Sequence, residues 1–262
     1  MSAWLDPVLR ALDEAPAPVL FFFRDDDVGV ADEKLYRLLD LFAMYRVPVD
    51  LAVIPDALEA RLAERLVGRR LGSPDLLGLH QHGLRHANHE PSGRKCEFGA
   101  SRPAAQQLAD IAAGRDRLVS LLADNLDPLF TPPWNRCSQA TADALAQLGF
   151  AALSRDSGAA PLDLHGLAEI AVNADWMQAG TADAPKLAER IARSVAAGAP
   201  VGVMLHHAVT SEEQLQALER LLDLLARHPR GRCCLMRSIL ERSRNGAGGF
   251  AGELKRREIS HG

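Results

Sequence analysis

Four of the nine histidines in this 262-residue chain fall within ten residues, in the run Leu79-His80-Gln81-His82-Gly83-Leu84-Arg85-His86-Ala87-Asn88-His89. His82 and His86 are four positions apart, so a turn of helix or a tight loop aims both imidazoles at one ion. His80 and His89 are the spare pair, placed by default in packing or at the surface. The Glu of an HExxH metalloprotease is absent, which argues against that class. A second run, Phe21-Phe22-Phe23-Arg24-Asp25-Asp26-Asp27-Val28-Gly29, sets three carboxylates directly after a buried apolar strand. That is costly unless a cation or proton offsets the charge. A metal does so, binding one carboxylate while its neighbour stays free as a general base. The bland alternative is a solvated acidic turn, since Asp32 and Glu33 follow. One Asp with two His makes a mixed oxygen and nitrogen site suited to Zn, Co, Ni, Mn or Fe(II). Such a site acidifies a bound water and polarises a carbonyl.

Three further runs carry candidate groups. Phe130-Thr131-Pro132-Pro133-Trp134-Asn135-Arg136 ends a strand in a rigid turn, read either as plain structure or as a groove wall. Val203-Met204-Leu205-His206-His207 ends an apolar strand in paired histidines, read either as a satisfied core histidine or, at His206, as a candidate general acid for a leaving amine. Asp175, in Val172-Asn173-Ala174-Asp175-Trp176, would orient that imidazole and raise its pKa. The loop from Glu90 to Gly99 is a solvated insert or a lid touching substrate through Arg94 or Lys95. Candidate substrate-binding residues are therefore Pro133, Trp134, Arg136, Lys95, Arg94 and Trp176.

Elements must gather these groups. Short apolar runs at Val19–Arg24, Pro48–Ile54, Leu76–His82, Pro128–Thr131, Phe150–Ser154, Leu167–Val172 and Val201–His206 read as parallel strands, with a short last one at Cys234–Met236. Amphipathic helices separate them. Asp32–Tyr45 puts Leu35, Leu38, Leu39 and Phe42 on one face, Asp183 and Pro185 open another helix, and Thr210 with Glu213 has capping-box spacing. The pattern predicts an α/β fold, a distorted (β/α)7–8 barrel in a single domain. Residues 1–18 form a helical lead-in, 19–243 the barrel, and 244–262, Gly-rich then charged, a flexible tail. The polar runs all sit at the C-terminal ends of strands, the face where barrels keep their active sites. A net charge of −4 and 5% aromatics argue against nucleic acid and against a stacked-glycan platform. The first residues do not read as a signal peptide, and no stretch predicts a membrane span, so a cytoplasmic location is expected. The four cysteines show no CxxC spacing and are read as reduced thiols.

In order, these runs resemble the polysaccharide deacetylase family, carbohydrate esterase family 4 and its relatives. The resemblance spans about Val19 to His207. It implies a distorted (β/α) barrel, with Asp26 as base, Asp27, His82 and His86 as metal ligands, and His206 as acid with Asp175 beside it. The triple Asp leaves a second register, Asp25 as base and Asp26 as ligand, and His207 is the runner-up to His206. Two positions depart from the family pattern. Gly83 stands where Ser or Thr is usual, and Thr131 stands where an Arg steadies the base, leaving Arg24 or Arg136 to replace it. The implied reaction is metal-dependent hydrolysis of an N-acetyl or N-formyl amide on a small amino-sugar-containing substrate, with Zn the first choice of metal. The rivals are another linear or cyclic amide hydrolase, a non-haem Fe(II) oxygenase, and a non-catalytic metal-binding relative.

Overall fold

The computed structural model describes residues 3–179 and 183–243, so the expected tail lies outside the described residues. Nine parallel strands form one curled sheet: β1 (Val19–Val28), β2 (Val49–Val53), β3 (Leu77–His82), β4 (Leu129–Thr131), β5 (Ala152–Leu153), β6 (Ala168–Glu169), β7 (Ala174–Asp175), β8 (Val201–Leu205) and β9 (Gly231–Cys233). The order is β6-β5-β4-β3-β2-β1-β8-β7, with β9 alongside the start of β1. The two ends of that order, β6 and β7, are not paired with each other, so the distorted barrel stays open there. Seven helices are described: α1 (Asp6–Glu14), α2 (Asp32–Tyr45), α3 (Ala60–Gly72), α4 (Ala104–Leu122), α5 (Gln139–Gln147), α6 (Ala184–Ala196) and α7 (Glu212–Arg227). None of them is long and apolar enough to cross a membrane.

The central strand β1 explains how the site is built. Side chains alternate across a sheet. Phe21 and Phe23 pack outward into the core shared with the helices, while Phe22 packs inward against Leu129, Ala152 and Met204. The same alternation sorts the charges that follow: Arg24 and Asp26 share the inner face, and Asp25 takes the outer one. Between Asp25 and Val28 the register with β2 slips, and Asp27 takes a left-handed φ of 67°. This bulge releases Asp27 from strict alternation.

Three local expectations shift. The last strand is Gly231–Cys233 rather than Cys234–Met236, because its partners are Val19–Phe21 at the start of β1. The box that opens α7 is Ser211 with Gln214, one residue past the expected pair. Thr210 instead turns its hydroxyl back to donate to the His206 carbonyl. Between β5 and β7 the chain is irregular rather than a strand–helix repeat, and no helix separates these short strands.

Candidate active site

At the C-terminal ends of β1 and β3, Asp27, His82 and His86 bring one ligand atom each to within 4.8 Å of one another. Asp27 Oδ1 lies 3.3 Å from His82 Nε2 and 3.1 Å from His86 Nε2. Neither approach has hydrogen-bond geometry, and this buried oxygen has no donor. His82 Nδ1 donates to the Thr131 carbonyl at 3.0 Å, which leaves Nε2 as the lone-pair nitrogen facing Asp27. An orphaned carboxylate oxygen between two imidazole nitrogens is the donor set of a divalent metal, and these residues fit one. Burial works against the Asp27 charge, but the neighbouring imidazoles outweigh it and hold the carboxyl well below the usual range.

Asp26 meets a different partner. Arg24 Nε donates to its Oδ1 and Nη2 to its Oδ2, both at 2.8 Å and fully enclosed. Arg24 is itself fixed by Ser154 Oγ and by Asn135 Oδ1, each at 2.7 Å. Burial pushes the Asp26 pKa upward, but the Arg24 charge, then those of His82 and His206, keep it below the ordinary value. Arg24 therefore holds Asp26 in place of an Arg at Thr131, and Arg136 is elsewhere. Thr131 is buried, and its Oγ1 bonds His80 Nε2.

The paired histidines separate cleanly. His207 is buried, its Nδ1 2.6 Å from Asp25 Oδ2 and its Nε2 2.7 Å from the Val30 carbonyl. Both partners are acceptors, so both ring nitrogens carry protons. Burial opposes that charge, but Asp25 and the Val30 carbonyl raise the His207 pKa. Asp25 is thus occupied on the outer face, which leaves Asp26 and Asp27 for the site. His206 lies near enough to act electrostatically on both. Its Nδ1 is buried without a partner, so the expected Asp175 bond does not form. Asp175 instead accepts from the Met177 backbone N–H at 3.0 Å.

Trp176 is not brought to the site. It is a core residue, with its indole N–H on the Gln214 carbonyl and its ring against Trp4. Trp134 does reach the site: its ring lies 4.4 Å from that of His86, with Lys95 Nζ 6.0 Å from the Trp134 centroid. Backbone strain gathers here, with His86, Trp134 and Asn135 at φ of 56°, 56° and 58°. The Pro133 ring packs on the Gly83 turn. Glu97, which no motif marked, is buried in the loop after His86, where it accepts from the Arg85 backbone N–H at 2.8 Å and from that of Leu84 at 3.4 Å. A Cβ on Gly83, whose φ is +59°, would lie 2.2 Å from Glu97 Oε2 and 2.7 Å from the Pro133 ring. Glycine is required at that turn because Glu97 and Pro133 fill its space.

No protein-family profile and no curated protein matches the chain. Solved structures do. A protein from Mycobacterium smegmatis, described as a polysaccharide deacetylase, superposes with a TM-score of 0.69 at 16% identity, covering 89% of this chain and 95% of that one. The chain has the polysaccharide deacetylase fold. A family 4 acetyl xylan esterase from Clostridium thermocellum, solved with a cobalt ion, matches at TM-score 0.52 and 16% identity over 84% of this chain and 89% of its own. A CE4 family pseudoenzyme from Bacillus anthracis matches at 0.58 and 12% identity over 86% and 66% respectively. Within the deacetylase fold, the five groups Asp26, Asp27, His82, His86 and His206 converge on one mouth of the curled sheet, and Arg24 joins them.

Proposed function

We propose that this protein is a metal-dependent hydrolase that removes an acetyl or formyl group from the nitrogen of a small, amino-sugar-containing molecule. The observation that carries this reading is the donorless Asp27 Oδ1 facing His82 and His86, with the clamped Asp26 adjacent. Asp27, His82 and His86 would hold the ion, with Zn favoured and Co, Ni, Mn and Fe(II) also suited to the set. When bound, the metal supplies Lewis-acid polarisation and acidifies water. Asp26 accepts a proton from the attacking water, and its two bonds to Arg24 keep it ionised and aimed. His206 donates a proton to the departing amine. Trp134 offers an apolar face for the sugar ring beside His86. The low aromatic content favours a small substrate over a long glycan.

A substrate panel tests the proposal. Zinc-loaded protein should release acetate or formate from at least one N-acyl amino sugar, and stop on chelation. Ring opening of a cyclic amide with no deacylation would favour the rival hydrolase. Oxygen uptake with a 2-oxoacid would favour the oxygenase. Metal binding with no turnover on any N-acyl amine would favour a non-catalytic role, against which the Arg24–Asp26 clamp weighs.

A further inference from the structure

The rim of this site carries positive charge that no carboxylate among the described residues pairs with. Arg94 and Lys95 stand exposed on the loop after the metal histidines, and Arg136 is half-buried opposite. Arg136 Nη1 donates to the Lys95 carbonyl at 2.8 Å, and Lys95 Nζ reaches over Trp134, whose ring rests on His86. Arg136 and Lys95 thus connect through Trp134 to His86, and Arg94, next to Lys95 in the chain, is near enough to act electrostatically on Arg136. Among the described residues none of them forms an ion pair, although the chain holds 34 acidic against 30 basic residues.

The acids of the same loop have other partners. Glu97 is committed to the backbone N–H groups of Leu84 and Arg85, and Glu90 accepts from Ser101 Oγ at 2.9 Å. The loop is also fastened at its base rather than free. Asn88 Oδ1 accepts from the backbone N–H of Glu90 at 3.1 Å and of Cys96 at 3.0 Å, His89 N–H donates to the Cys96 carbonyl at 3.0 Å, and the Cys96 thiol reaches the Arg136 carbonyl at 3.3 Å. Holding three like charges together on a fixed backbone is unfavourable, and a bound anion offsets it. Burial, followed by the Arg94 charge, already lowers the Arg136 pKa.

We propose that Arg94, Lys95 and Arg136 form a specificity subsite for an anionic group, carboxylate or phosphate, carried by the substrate beyond its N-acyl amide. The inference rests on the hydrolase reading for the position of that amide. The subsite orients the substrate by charge, while Trp134 supports the ring between the anion and the metal ligands.

Binding measured calorimetrically on the full-length Asp26→Asn protein separates the two ideas, because that variant should bind without turning over. The probes are N-acetylglucosamine 6-phosphate, N-acetylmuramic acid and uncharged N-acetylglucosamine. One charged probe should bind at least about tenfold more tightly than the neutral sugar at low salt, and the advantage should shrink at high salt. Which charged probe wins identifies phosphate or carboxylate. The preference should collapse in an Arg94→Gln/Lys95→Gln double variant, whose changes are both exposed. Equal binding of all three probes, or a preference unchanged in the double variant, overturns the subsite. A charged probe bound with the expected preference but not hydrolysed by zinc-loaded wild type instead refutes the hydrolase reading and leaves the subsite standing.

Discussion

A buried carboxylate stays ionised only where donors meet it, and Asp26 is met on both oxygens by one guanidinium. Replacing Asp26 with Asn should lower kcat by roughly 10²–10⁴, the usual worth of a general base, while metal content by atomic spectroscopy stays unchanged. Arg24→Lys should also depress kcat, since a single ammonium cannot reproduce the two-pronged contact. His207 yields a prediction about pH. Its folded pKa lies above the ordinary 6.5, so its contribution to stability is complete below about pH 6.5 and is lost as pH rises through the raised value. Wild-type Tm should therefore fall on the alkaline side, and a His207→Gln variant, less stable overall, should show a flatter profile there. Part of this scale was legible from spacing: the His82–His86 interval and the Asp run picked out three residues that the structure brings together. Which of Arg24 and Arg136 bonds Asp26 was not legible, because that depends on the inner face of β1. Glu97 was missed because a lone acid in a polar loop carries no pattern; its burial arises only when the loop folds back over Gly83.

Elements place these groups by simple rules, and their errors are equally physical. The α7 box uses Ser211 and Gln214, so Ser211→Ala should cost about 1 kcal/mol and lower Tm by about 2–4 °C, while Thr210→Ala should leave the cap intact. A thermal melt of both variants decides it. The expected pair, Thr210 with Glu213, misses by a single residue, within the usual uncertainty of a helix boundary. Trp176 follows an Asp at a strand end and so looked like a site residue. The turn of Trp176–Gln178 rotates the ring away from the mouth and into the core beside Trp4. The last strand was displaced for a related reason: the apolar Cys234–Met236 run advertises burial, but pairing is decided by where β1 begins.

For the molecule as a whole, metal binding should act as a folding ligand. With free zinc at about 100 times its Kd, the folded state should gain about 2.7 kcal/mol, visible as a rise in Tm that Asp27→Ala abolishes. An equal rise in that variant would place the ion elsewhere. The overall architecture was the most legible layer, because alternating apolar runs and amphipathic helices leave few ways to bury both. The open edge between β6 and β7 was not, since strands of two residues carry almost no periodic signal.

The Gly83 turn has an evolutionary corollary. Gly83 and Glu97 occupy the same small volume, one by lacking a side chain and the other by filling the space. Neither substitution is readily reached alone: a Ser at 83 meets the Glu97 carboxylate and the Pro133 ring, and a shortened residue at 97 strands the Leu84 and Arg85 N–H groups. The two positions are sterically coupled, so a chain exchanging Gly83 for Ser or Thr should pass through a weakened intermediate unless position 97 changes with it.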